Sequence, residues 1–239
     1  MLRLLVLGTL LVTLAACDVP TTTVTTAAPT PEPASTTLQL REGPTVPQTD
    51  RSFRRIVARM EPVVERECRR RAPRLNCDFA IQVITDPRQP PNAFQTLNEQ
   101  GRPILGFTST LIRDVKNADE LAFVLGHEAA HHIAGHLARQ QQNATLGAAI
   151  FGVLASQTGG SVATAQQLGA QVGARSYSKA FELEADRLGT ELTILGGYDP
   201  VIGAAYFTRI ADPGNRFLGT HPPNSQRIEA VLQTAARLQ

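Results

Sequence analysis

"GHEAAHHIAGH", Gly126–His136, decides how this chain is read. It holds four of the five histidines in the sequence, and the fifth, His221, lies far downstream in "GTHPPNS". His127 and His131 are four residues apart. On an α-helix that separation is about 40° of rotation, with the side chains roughly 5–6 Å apart on one face. Two imidazoles so placed can share one metal ion. Glu128 follows the first of them, so it stands beside the metal rather than on it, where a carboxylate can serve as a general base. The bland alternative is a surface helix with solvated histidines. Chance yields this five-residue pattern in about one in a few hundred chains of this length, so alone it does not decide.

The surrounding sequence supports a helix. In "NADELAFVLGHEAAHHIAGHLARQ", Asn117 is a candidate N-cap with Glu120 three residues on, a capping-box pattern. Leu121, Val124, Leu125, Ala129 and Ile133 recur at helical spacing. Read as one continuous helix, the stretch puts His136 about 140° round from His131 and turns His132 off the metal face. Both are therefore expected to pack or hydrogen-bond locally. A metzincin would place a third histidine six residues after the second. Here His136 comes five after His131, so that class is rejected.

A third ligand is found downstream. "YSKAFELEADRLGTELTILGG" reads as a helix with Phe181, Ala185, Leu188, Leu192 and Leu195 inward, stopped by Gly196-Gly197. Glu182 and Asp186 share one face. Glutamate completes His₂Glu zinc sites, and an acid one turn on can hold the far nitrogen of a ligand histidine. Glu184 lies about 200° from Glu182 and is excluded from the metal. The competing reading is a salt-bridged surface face, since Arg175, Lys179 and Arg187 are near. About fifty residues after an HExxH helix, the metal reading is preferred.

Elsewhere, Asp50–Arg71 shows one apolar face at helical spacing, with a kink expected at Pro62. "CDFAIQVIT" alternates as a strand. "NAFQTLN" and "ILGFTSTLI" read as two more strands joined at "EQGRP". A final helix is expected from Asn224 or Ser225. The fold class is α+β, mainly helical with a small β-sheet; that it is a zincin-type metalloprotease domain whose edge strand lies beside the zinc helix is what the resemblance below implies.

Taken together, "LAFVLGHEAAHHIAGH", "YSKAFELEADRLG" and "THPPNSQRI", in that order, resemble the gluzincin metallopeptidases of the CAAX prenyl endopeptidase and HtpX family. Within that family the chain is most similar to the soluble periplasmic, BepA-like branch. "PPNAFQTLNEQGRPILGFTSTLI" is similar to the family's active-site edge strand. The resemblance covers about Asp50–Gln239 and implies one zinc ion per chain, held by His127, His131 and Glu182. It makes Glu128 the catalytic base and Asp186 the support of a ligand. It implies a second catalytic candidate in His221, which in matching "HP" contexts can reach the metal, as a removable ligand or an oxyanion donor. Arg227 and Tyr206 are further candidates for stabilising the oxyanion. Family members often have Arg where Lys179 stands, and the membrane members have spanning helices that this chain lacks.

The ends bound the rest. "MLRLLVLGTLLVTLAAC" is a basic residue and an apolar run too short to span a bilayer, which fits a secretory signal. Its "LAAC" resembles a bacterial lipobox, which would make residues 1–16 the signal peptide and Cys17 a lipidated anchor to a membrane. Residues 17–49, rich in Thr, Pro and Ala, are expected to be a disordered tether, and 50–239 the peptidase domain. Cys68 and Cys77 remain as an even pair in an exported chain, where a disulfide is expected. A net charge of +2 with no long basic run does not imply nucleic acid. The function expected is a zinc-dependent endopeptidase of the bacterial cell envelope, facing the periplasm and acting on protein or peptide substrates such as misfolded envelope proteins. The rivals are a catalytically silent zinc-containing binding or assembly factor, against which the presence of Glu128 argues, and hydrolysis of a non-peptide envelope bond.

Overall fold

The computed structural model describes residues 39–176, 178–214 and 221–238. The expected signal peptide, Cys17 and the tether as far as residue 38 lie outside these. Residues 39–49 carry no helix or strand, but they are seated on the domain rather than free of it. Val46 N–H donates to the Lys116 carbonyl at 2.7 Å, Arg41 pairs with Asp199 at 2.6 Å, and Gln48 is buried. Contacts with the domain thus begin near Arg41, within the stretch expected to be tether.

Helix α1 runs from Asp50 to Arg71, unbroken through Pro62. Its start is fixed by Thr49, whose hydroxyl accepts from Ser52 N–H while the Ser52 hydroxyl accepts from Thr49 N–H. Phe53, Ile56, Met60, Val64 and Cys68 form its buried stripe. The Cys68 and Cys77 sulfurs are bonded at 1.97 Å with Cα atoms 5.7 Å apart, joining the end of α1 to the start of the sheet.

Strands β1 (Ala80–Ile84), β2 (Ala93–Leu97) and β3 (Pro103–Thr108) form a sheet in the order β1-β3-β2, with β3 parallel to β1 and antiparallel to β2. The second half of the expected third strand is helix α2 (Ser109–Asp114) instead. Thr108 ends the strand because its hydroxyl accepts from Leu111 N–H and so caps the helix. Strand β2 hydrogen-bonds only to β3, and its open edge lies beside α3 (Ala118–Ile133).

Asn117 caps α3 as expected, its side chain accepting from Glu120 N–H at 3.0 Å. The Glu120 carboxylate does not return to the cap residue. It accepts from Lys116 N–H and pairs with both terminal nitrogens of Arg209. The single helix expected from Asn117 to Gln140 is two. Gly135 adopts a left-handed φ of 66°, and α4 (His136–Thr158) sets off in a new direction. Helices α4 and α5 (Val162–Ser176) form a hairpin packed backbone to backbone through Gly147, Gly169 and Gly173.

Helix α6 (Ser178–Leu195) ends at Gly197 with φ 73°, as its sequence suggested. Phe181, Ala185 and Leu192 are buried, but Leu195 is 49% exposed because the helix has by then run past the core. Short α7 (Pro200–Gly203), a 3-10 turn over Ala204–Thr208 and α8 (Asn224–Leu238) close the domain. The central core comprises Met60, Val64, Phe79, Leu105, Phe107, Ile112, Leu121, Leu125 and Leu192, all essentially inaccessible. No helix among the described residues is long and apolar enough to cross a membrane.

Helices α3 and α6 cross at two glycines. A Cβ on Gly126 would lie 2.9 Å from the Gly189 carbonyl oxygen, and one on Gly189 would lie 2.9 Å from the His127 nitrogen. Both obstacles are backbone, which cannot swing away. Gly189→Ala is therefore expected to destabilise the domain by about 1–3 kcal/mol, the range for overpacking a core. A lowered urea midpoint at unchanged slope would register it, and a midpoint equal to the parent's would contradict this account of the crossing.

Candidate metal centre

The crossing of α3 and α6 brings the sequence-predicted ligands together. His127, His131 and Glu182 offer ligand atoms that all lie within 4.8 Å of one another. The two Nε2 atoms are 3.0 Å apart, and Glu182 places one carboxylate oxygen 3.5 Å from each of them. All three side chains are largely buried. Two imidazoles and a carboxylate converging from two helices are a donor set suited to zinc. The far nitrogen of His127 is already engaged: Nδ1 lies 2.9 Å from Asp186 Oδ1, which leaves Nε2 for a cation.

Asp186 is fully buried and so needs compensation. Arg227 of α8 provides it, donating from Nε and Nη2 at 2.8 and 2.7 Å to the two carboxylate oxygens. The same guanidinium lies 3.3 Å from the His127 ring and 3.5 Å from Glu182, and stacks over Phe207. The sequence by itself suggests Arg227 only as an oxyanion candidate. A signal for its present place existed: Arg227 sits in register with Ala230, Val231, Thr234 and Ala235, the buried face of α8.

These contacts set the protonation states of the cluster. Burial and the Arg227 charge oppose a proton on His127, but Asp186 and Glu182 outweigh them and hold its pKa up to about 9. Burial, then the charge of His127, pushes His131 down to about 3. Burial works against ionised Glu182, yet the hydrogen bonds from His127 and His221 hold it well below the usual carboxylate range. Among the described residues Glu128 has no such hydrogen bond, and burial pushes its carboxyl up to about 7. A carboxyl group poised near neutrality suits proton transfer in both directions.

His221 Nδ1 lies 3.2 Å from Glu182 Oε2, so the histidine outside the α3 motif reaches the site. Its side chain is 53% exposed, which makes it the solvent-side member of the cluster. Tyr206 faces the same cavity, but its hydroxyl is donated to Asp114 at 3.2 Å. His132 turns away as expected, its Nε2 2.8 Å from the Asn76 carbonyl. Glu184 likewise stays off the centre and accepts from Arg139 at 2.8 Å.

The centre opens into a cavity of about 470 Å³. Its walls include Asn92, Ala93 and Phe94 at the open edge of β2, together with Leu111, Phe123 and Phe207. An extended peptide laid along that edge would pass over Glu128 and the converging ligands.

Comparison with known proteins agrees with this geometry. Over 146 residues the chain is 33% identical to the beta-barrel assembly-enhancing protease of Yersinia pestis, covering 54% of this chain and 30% of that protein. The protein of the same name from Escherichia coli K12 is 30% identical over 139 residues, 51% of this chain and 28% of the relative. The mitochondrial metalloendopeptidase OMA1 of Saccharomyces cerevisiae is 30% identical over 161 residues, 63% of this chain and 45% of the relative. The match thus spans under half the length of each of these relatives. Residues 47–235, which contain every residue of the centre, match Peptidase family M48, and the chain belongs to that metallopeptidase family.

Proposed function

We propose that this chain is a zinc-dependent endopeptidase of the bacterial cell envelope. One observation carries the reading: His127, His131 and Glu182 converge beside buried Glu128, in a cavity bordered by an open strand edge. A bound zinc ion supplies Lewis acidity, polarising a carbonyl and making water nucleophilic near neutral pH. The chain's residues supply the rest. The substrate backbone adds to β2, which gives main-chain recognition with little demand on sequence. Glu128 takes a proton from the attacking water and delivers it to the leaving amine. Asp186 and Arg227 hold the His127 ring, Arg227 through its two bonds to Asp186.

The envelope assignment is supported by the signal-like N-terminus with its lipobox-like "LAAC" and by the disulfide between Cys68 and Cys77. Similarity to proteases named for beta-barrel assembly favours protein quality control, with misfolded envelope proteins as substrates. Lipid on Cys17 would hold the domain at a membrane through the tether. Labelling with a fatty acid should tag the protein, and Cys17→Ala should abolish the label and release the chain from membranes. A labelled Cys17→Ala protein would remove the anchor from this account.

The central test is cleavage of an unfolded substrate such as casein by the purified domain. Glu128→Gln should bind one zinc per chain yet cleave at least about 10²-fold more slowly. Glu182→Gln should lose zinc, whereas Glu184→Gln should keep it. Zinc in the parent and in Glu128→Gln, with cleavage in neither, would favour a silent binding factor instead.

His221 has two possible roles, and they predict opposite results. Its exposed imidazole is 3.2 Å from Glu182, at the rim of the His127, His131 and Glu182 cluster rather than within it. We assign it the role of a removable plug, so His221→Ala should raise basal proteolysis. A fall in turnover of about 10²–10³ would make it an oxyanion donor.

A further inference from the structure

The break at Gly135 gives His136 a place that a continuous helix would deny it. Instead of lying a third of a turn or more away, its ring folds back against His131, with the two Nδ1 atoms 2.9 Å apart. The side chain is almost completely buried, at 4% exposure, and stacks on Phe181 with ring centroids 4.6 Å apart and planes at 11°. Its Nε2 lies 3.2 Å from Glu184 Oε2. That approach is bent away from a regular hydrogen bond, and Nε2 has no better partner among the described residues. Glu184 is itself held by Arg139, whose guanidinium covers Phe181 at 4.3 Å.

Two facing nitrogens at hydrogen-bond distance require one donor and one acceptor. The direction follows from the metal side. His131 Nε2 faces Glu182 Oε1 at 3.5 Å and His127 Nε2 at 3.0 Å. An imidazole that ligates through Nε2 carries its proton on Nδ1. His131 therefore donates and His136 accepts. The His136 proton must then sit on Nε2, the nitrogen that faces Glu184. Every proton in the line is then assigned, with one on each ring.

We propose that His136 is a positioning residue for the metal centre. It accepts the Nδ1–H of His131, holding that ring in the tautomer and orientation that frees Nε2 for the cation, while Glu184 steadies His136 from behind. The inference rests on the metal centre proposed above. It gives the two histidine ligands unlike supports. His127 has a carboxylate, Asp186, directly at its Nδ1. His131 has a neutral imidazole there, with the nearest carboxylate one ring further out.

The test is zinc affinity of the purified full chain, by competition with a chromophoric chelator. His136→Phe keeps an aromatic ring against Phe181 but offers no acceptor, and affinity is expected to fall about 10–100-fold, as for loss of other supports of metal ligands. His136→Gln presents a carbonyl oxygen that can accept from His131 and should recover most of the loss. A long-range ¹H–¹⁵N spectrum of the zinc-loaded parent should show His136 neutral with its proton on Nε2. A purely structural role would alter thermal stability in both variants without separating their zinc affinities. The inference is overturned if His136→Phe binds zinc as the parent does while His131→Ala does not, or if the His136 proton is found on Nδ1. Unchanged binding in His131→Ala would instead remove the metal centre itself. Should His136→Phe fail to fold, the Gln variant and the tautomer spectrum still decide the matter.

Discussion

The backbone contact between α3 and α6 at Gly126 and Gly189 is the constraint on which the rest of the structure depends. Ordinary helix pairs sit 8–10 Å apart, set by the side chains between them. Here there is no side chain at the crossing, and the main chains meet. His127 and His131 on one helix, and Glu182 and Asp186 on the other, can then face each other with short side chains and little slack. Moving either helix out by one methyl group would open the cluster. The glycines carry a helix-propensity penalty of about 1 kcal/mol each relative to alanine, which the domain offsets through the core built around them.

That geometry creates an electrostatic problem that α8 resolves. Three carboxyl groups, those of Glu128, Glu182 and Asp186, are buried in one small volume. Asp186 has 0% exposure and could not remain ionised alone. Arg227 supplies a buried countercharge with two short bonds, and in doing so it ties the C-terminal helix to the metal centre. The same bond network orients His127. Binding chemistry and the docking of α8 are therefore one arrangement, and a single guanidinium serves both. A divalent cation at the three candidate ligands would displace the His127 proton and meet the ionised Glu182 in a place already desolvated.

The left-handed turn at Gly135 separates two regions of different character. Before it lies α3, pressed into the core on most of its surface. After it lies the α4–α5 hairpin, which has no charged residue from Gln140 to Ala174 and exposes Leu146, Ile150, Val153 and Leu154. The turn also folds His136 back onto His131. One positive φ thus decides both where the hairpin starts and which imidazole stands behind a ligand.

Much of the candidate centre was legible in the sequence because its residues come in helical pairs. His127 with His131, and Glu182 with Asp186, each lie one turn apart, and a 3.6-residue period puts such pairs on one face whatever surrounds the helix. The strand and helix order was readable for the same reason: alternation and helical spacing are local properties of the chain. Only the tertiary structure decided what depends on direction after a break or on contact between distant segments. Gly135 could have continued the helix or ended it, since glycine is permitted both conformations. Packing ended it, and so brought His136 against His131, which a continuous helix would have kept about 140° away. Thr108 could have extended a strand, but its hydroxyl captures the next turn's amide instead. Arg227 lies forty-one residues beyond Asp186, and no local spacing announces that pair. The ligand types and their registers are local and hence written in the sequence. The partners that hold those ligands still are assembled across the fold, because a buried charge or imidazole is satisfied by whatever group the packing brings to it.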